Sequence, residues 1–542
     1  MARTSENDAR DRAAFRRIKS RRHIHLTHKK TISHSHNIMA DHLDLEKMMM
    51  DTGEGYSVIR PRNFGIKEQE VFSCLPLFNA SDLSAGLAVH VSDLFACYTA
   101  SAMRINEQLK TFGLYESEEN VITWINGIAR AFMHPLRERI RTDLLEHCDA
   151  LVLDKAAHTI SGDEDMTEGE EGKIHVWVLT SAELCRLRGT YFRLTTGCEP
   201  KDVVSILRSP KTTTKILTVD GFDGYEKAVE ILRRDCGINI QILRSYRHLK
   251  ETYKKFLNSE GLLEVYEKYL TCKDNKLGSF DRKVDAYTKK RRGRILLSHD
   301  IDLLYIFFCL DSLLEKEQKV IDKYEKRHSS KARQELIDER DEICADLVSE
   351  LYKRVDHFVR KNPDIIEVVD TIAGTKYKGS RKGLARGIMP FLNHRNEIMR
   401  AMDNPHADLS SSAAGRILRN SRQQFREYEF EDFQDDKSVL ADFMSVSYTC
   451  MNNDIDFSEY LIWYLANFKV RMHKLWSDGY READIYDIPQ PRLINESKRS
   501  SGGNGEEVVN MYDTHNITSY DRVDISGLMP YDYKKYIQNK KN

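Results

Sequence analysis

The amino-acid sequence predicts a mainly α-helical protein. Apolar residues recur at three- and four-residue steps from about Leu75 to about Pro491, alternating patterns are few and short, and charged residues fall between the apolar stripes. Leu87, Val91, Leu94 and Cys97 open the periodic region, followed by Ile105, Leu109 and Leu114, then by Val121, Ile125, Ile128, Phe132 and Leu136. The clearest helical segment is Ser312 to Arg360, where Leu336, Ile337, Ile343, Leu347, Leu351, Val355 and Phe358 make one stripe. Only Ile174–Val178 (IHVWV) and Ile238–Leu243 (INIQIL) suggest strands, each open to a second reading as a buried helical turn.

Breakers predict loops at Ser161–Gly172, Gly374–Gly387 and Asn404–Asp436. Residues 1–60 are expected to form a disordered basic arm and 493–542 a polar tail, with helical segments at 61–403 and 437–492. No repeat of 20 to 50 residues is visible.

Composition excludes several classes. The longest apolar run, Leu303–Leu310, is far short of the ~20 residues a membrane span needs, so no membrane insertion is expected. The 10 cysteines are scattered without a C-x-x-C, which argues for a reduced compartment with neither a disulfide framework nor a cysteine zinc site. The formal net charge of -1 conceals segregation: residues 1–30 are strongly basic, whereas Asp163–Glu171 and Glu427–Asp436 are acidic.

The usual catalytic templates are missing: no phosphate-binding loop, no H-E-x-x-H, no G-x-S-x-G and no G-x-G-x-x-G. Ser298, His299 and Asp300 are adjacent, and three neighbours cannot converge on one substrate atom as a triad must. Arg141 with His147, and Arg400 with His406, fit a loose ribonuclease spacing that also arises by chance. The histidines between His23 and His36 lie in the arm, where nothing fixes them as metal ligands, so neither metal nor cofactor is expected.

Basic clusters point instead to a polyanion. Lys376, Lys378, Arg381, Lys382 and Arg386 are spaced by glycines, with no acid between Thr371 and Asn396. Glycine lets backbone approach a phosphate chain, and the cations displace condensed counterions. A second string, Arg186, Arg188, Arg193, Lys201, Arg208, Lys211 and Lys215, has Tyr191 and Phe192 interleaved, which could stack bases or simply be core. Lys289–Arg294 is a third basic run, readable as a phosphate contact or an import signal.

These residues resemble the nucleoproteins of orthomyxoviruses, the influenza-type segmented negative-strand RNA viruses. Gly374-Thr375-Lys376 is followed by Arg381, Lys382 and Arg386-Gly387, similar to that family's G-T-K and R-G block. Thr196-Gly197-Cys198-Glu199-Pro200-Lys201, after Trp177, resembles a second block, and Arg233-Arg234 before Gly237-Ile238-Asn239 a third. Ser412-Ala413-Ala414-Gly415, leading through Arg426 and Phe430 to Val439–Phe443, looks like the family's tail loop, with a one-residue offset at Gly415 and Phe430.

The resemblance implies a two-lobed, helical, non-enzymatic protein that coats single-stranded viral RNA without sequence preference. It implies an RNA groove made by the two basic strings with Arg233 and Arg234, and a tail loop at 404–436 that inserts into a neighbouring copy, with Arg426, or with the offset Arg422 or Arg419, paired to Asp364. The implied partners are viral RNA, further copies of the chain, the viral polymerase and host import receptors reading Arg16, Arg17, Lys19, Arg21 and Arg22, in the virion and in host nucleus and cytoplasm. Two rivals share the polyanion: an RNA-cleaving helical enzyme using an Arg/His pair, and a nucleocapsid protein of a non-segmented negative-strand virus.

Overall fold

The computed structural model describes residues 83–477 and 523–541, apart from 84, 99, 112–113, 115, 160–172, 223, 291–292, 328, 372–373, 380–381 and 428–437. The protein is mainly helical with a small mixed sheet. Helices Ala85–Tyr98 (α1), Ala102–Thr111 (α2) and Glu118–Ile128 (α3) come first, and a π turn at Ala129–Met133 joins α3 to His134–His147 (α4). Ser117 starts α3 by accepting the Asn120 N–H at 3.1 Å, with Glu118 and Glu119 placed against the helix dipole.

The chain then builds a five-stranded sheet from Ala150–Thr159 (β1), Lys173–Ser181 (β2), Thr190–Thr195 (β3), Ile216–Val219 (β4) and Gln241–Arg244 (β5), in the order β3-β2-β1-β4-β5. β2 runs antiparallel to β1, whereas β4 pairs parallel with both β1 and β5. Helices Pro200–Leu207 (α5) and Gly224–Cys236 (α6) make the crossovers, and Tyr246–Ser259 (α7) follows β5. The start of α5 shows why the Glu199-Pro200-Lys201 block reads as it does. Pro200 sits in the first turn, the Glu199 carboxylate and Asp202 form a reciprocal capping box, and Asp202 accepts the Glu199 N–H at 2.8 Å.

After α7 come Leu277–Lys290 (α8), Ser298–Glu325 (α9) and Ser330–Lys361 (α10). The single helix expected from Ser312 to Arg360 is thus two, broken between Glu325 and Ser330, because the apolar stripe continues on both sides of a polar turn. The predicted loop at Gly374–Gly387 is also replaced by ordered elements: Ile366–Thr371 (β6) pairs antiparallel with Gly374–Gly379 (β7), and Lys382–Asn393 (α11) follows. Gly387 serves helix packing, since a Cβ there would lie 2.4 Å from the Phe256 ring of α7.

Arg395–Met399 (α12) leads to Ser412–Glu427 (α13), which lies inside the segment expected to be a protruding loop. Its Ala414, Ile417, Leu418 and Phe425 are buried within their own chain, so these residues do not need a neighbour's pocket to leave water. Val439–Asn452 (α14), Phe457–Ser477 (α15) and Pro530–Lys541 (α16) complete the described chain.

Two compact units are built from interleaved stretches. One holds residues up to Ile140, 189–192 and those from Arg422 onward. Within it Phe132 meets Phe468 edge-on at 5.1 Å, Phe95 meets Phe443 at 5.0 Å, and fully buried Asp442 pairs with Arg137 at 2.8 Å. The other holds 141–188 and 193–421, including the sheet centre and α5 to α12. Among the described residues no helix is long and apolar enough to cross a membrane.

Candidate functional site

In the second unit two acids meet on the central strands of the sheet. β1 and β4 lie side by side in parallel, with Leu153 opposite Val219, so Asp154 and Asp220 stand next to each other where the two paired runs end. The carboxyl ends of parallel strands are where open α/β sheets bind ligands. Burial, and then the charge of Asp220, push the Asp154 carboxyl up to about 7. Asp154 Oδ1 accepts the N–H of Lys155 at 2.8 Å, and Asp220 Oδ1 accepts that of Phe222 at 3.1 Å, so both carboxylates are held by local backbone.

Two kinds of neighbour frame the pair. On one side Trp177, Phe222 and Tyr225 form an aromatic cluster, with Phe222 and Tyr225 edge-on at 5.2 Å. The Lys155 ammonium sits 3.3 Å from the Phe222 ring centroid and donates to Cys198 Sγ. Buried Tyr225 is held well above its ordinary range, by burial first and then by Asp220 and Asp154. On the other side α13 comes close because residue 415 is glycine: a Cβ there would be 3.1 Å from Asp154 Oδ2. One helical turn on, Arg419 contributes positive charge at Asp154. Arg247, at the start of α7, has its pKa lowered by burial and by the neighbouring charges of Arg419 and Arg416, the latter itself paired with Glu183.

Deeper in the same unit lies an ionic network the sequence did not disclose. Glu183 accepts from Arg188 at 2.7 Å and from Arg416 at 2.5 Å; burial opposes its charge, but the two arginines hold its carboxyl below the usual range. Fully buried Asp408 accepts the Glu183 N–H at 3.0 Å and is pushed well up by burial and by Glu183. Arg340 donates to the carbonyls of Ala401 at 2.9 Å, Asn404 at 3.2 Å and Ala407. Glu317 accepts the Leu409 N–H at 2.7 Å, and burial, only partly offset by Arg340, pushes it up to about 7. Residues 401–411 therefore lack regular structure over much of their length but have their backbone groups satisfied inside the protein.

The residues expected at an RNA groove separate into three sets. Arg208, Lys211 and Lys215 between α5 and β4, with Arg233 and Arg234 at the end of α6, are exposed and lie where β4 and β5 begin, the end of the strands opposite Asp220. Arg234 is engaged by Asp235 at 2.6 Å, and Lys201 by Glu199 at 3.2 Å. Arg186 is exposed and Arg193 half-buried, but Arg188 belongs to the internal network, because Glu183 offers it both a carboxylate and a carbonyl. Tyr191 and Phe192 are fully buried, so they are core and not a stacking surface. Lys376 and Lys378 share one face of β7, opposite Val369 and Glu367, and Lys382 and Arg386 lie one turn apart on α11; the side chains of all four, and Arg381, lie outside the described residues.

Asp364 is exposed in a 3-10 turn before β6, whereas the Arg426 side chain, Phe430 and the arm residues Arg16, Arg17, Lys19, Arg21 and Arg22 lie outside the described residues. The candidate Arg/His pairs are each engaged structurally. Arg141 caps the Arg208 carbonyl at 2.8 Å, Arg400 that of Ile242 at 2.9 Å, and His406 pairs with Asp149 at 2.9 Å. Asp300 caps α9 through the Leu297 N–H and pairs with Arg294 at 3.0 Å.

No protein-family model matches the chain, and no curated protein matches it. A solved Drosophila P element transposase strand transfer complex is similar in structure with a TM-score of 0.32 and 11% identity, covering 71% of this chain and 92% of that chain. At that level the likeness carries neither fold nor chemistry across.

Proposed function

We propose that the chain binds nucleic acid and that Asp154 and Asp220 hold a divalent cation against its phosphodiester backbone, the arrangement of metal-assisted phosphoryl transfer. The carrying observation is the pair itself: two carboxylates brought together where β4 ends against the middle of β1, one partly enclosed, with the charge of Arg419 acting on it. Magnesium is commonly held by one or two carboxylates with the remaining positions taken by water and substrate phosphate oxygens. The cation would polarise a phosphoryl oxygen, and Arg419 would grip a flanking phosphate. End-labelled RNA and DNA incubated with Mg²⁺ or Mn²⁺ test this: shortened or joined products that vanish in Asp154→Asn and Asp220→Asn support it, and intact strands with both ions refute the transfer chemistry.

The encapsidating nucleoprotein remains a second reading, supported by the exposed cations Arg208, Lys211, Lys215 and Arg233 at the opposite strand ends. It expects bound RNA to be shielded from added nuclease, on homopolymers and mixed sequence alike, with the Asp154→Asn variant shielding as well as the native chain.

A further inference from the structure

A second cluster, distinct from the acid pair, lies between the first turn of α6 and the turn joining α11 to α12. Glu226, His394 and Glu397 each bring one ligand atom into a space where all three lie within 4.8 Å of one another. His394 Nδ1 is 3.5 Å from Glu226 Oε1 and 3.3 Å from Glu397 Oε2. His394 Nδ1 and Glu397 Oε2 are both closed off from solvent, yet neither completes a hydrogen bond of acceptable geometry. Enclosed polar atoms are ordinarily paired by well-aligned hydrogen bonds, and an ion pair at 3.3 Å that lacks one has the separation of two ligand atoms on a shared third body.

We propose that Glu226, His394 and Glu397 form a site for a divalent transition metal, Zn²⁺ being the best fit. One imidazole nitrogen and two carboxylate oxygens are a donor set such an ion accepts, with a further position left for water. The ion would tie α6 to the α11–α12 turn. Arg244, almost fully buried, already pairs with Glu226 and donates to the Asp220 carbonyl at 2.9 Å, so the metal would compete with that guanidinium for Glu226. The proposal stands independently of the nucleic-acid reading.

The test is Co²⁺ and Zn²⁺ titration of the full chain after chelator treatment, compared with His394→Ala and with Glu226→Gln, whose exposed position makes it the safer variant for folding. The histidines of the arm are present in all three proteins, so the site is read from the difference. Expected are visible Co²⁺ absorption bands displaced by Zn²⁺, one equivalent more metal in the native chain than in either variant, and a melting temperature that Zn²⁺ raises only in the native chain. Equal uptake by all three folded proteins, or no stoichiometric uptake by the native chain, overturns the site and leaves His394 as an ion-pair partner of the two glutamates.

Discussion

Asp154 makes stability depend on pH in a defined sense. Its folded-state carboxyl titrates at about 7 against 3.8 for the ordinary group, so between these values the unfolded chain releases a proton that the folded chain keeps. Stability from this group is complete below about pH 4 and is lost as pH rises through about 7, an effect on the order of 4 kcal/mol at most. Urea denaturation across that interval should show a steeper decline for the native chain than for Asp154→Asn. Added Mg²⁺ should reverse part of the decline in the native chain alone, since a bound cation favours the ionised pair. Equal slopes in the two proteins would show that the carboxylate does not titrate in this window.

Two elements were legible only in part, for physical reasons. IHVWV lies within β2, but β1 reads ALVLDKAAHT, where a buried run on a doubly covered strand does not alternate and its three alanines favour helix. INIQIL is strand only from Gln241 onward. The acid pair was invisible because Asp154 and Asp220 meet through a parallel pairing that no local spacing encodes. The helix α13 was hidden by Asn404-Pro405 and the serine run that precede it, although Ile417, Leu418 and Phe425 already carried a helical spacing. Gly387→Ala should destabilise by about 1–3 kcal/mol, because the added methyl must displace the Phe256 ring. Arg340→Ala should cost about 3–5 kcal/mol, since it strips three carbonyls and removes the buried guanidinium facing Glu317. Thermal melts of both variants check these values, and an unchanged melting temperature for Arg340→Ala would mean that water replaces the guanidinium without loss.

At the scale of the whole molecule, any nucleic-acid affinity should be strongly ionic. Binding to single strands should fall with salt at a log-log slope of roughly -0.7 per neutralised phosphate. Replacing Arg419 should lower the magnitude of that slope more than replacing Lys211 if the strand lies along the acid pair, and less if it lies along the opposite strand ends. Fluorescence anisotropy over a salt series reads both.

Gly415 also sets a timetable for synthesis. The helix that closes over Asp154 enters the chain roughly 260 residues after it, so at ~5–20 residues per second the nascent sheet waits tens of seconds for its cover. During that interval the acid-bearing face of β1 lacks the helix that covers it in the folded chain. Slower codons between the end of α7 and the start of α13 would lengthen the wait and lower the soluble yield, whereas the same codons placed after α13 would leave it unchanged.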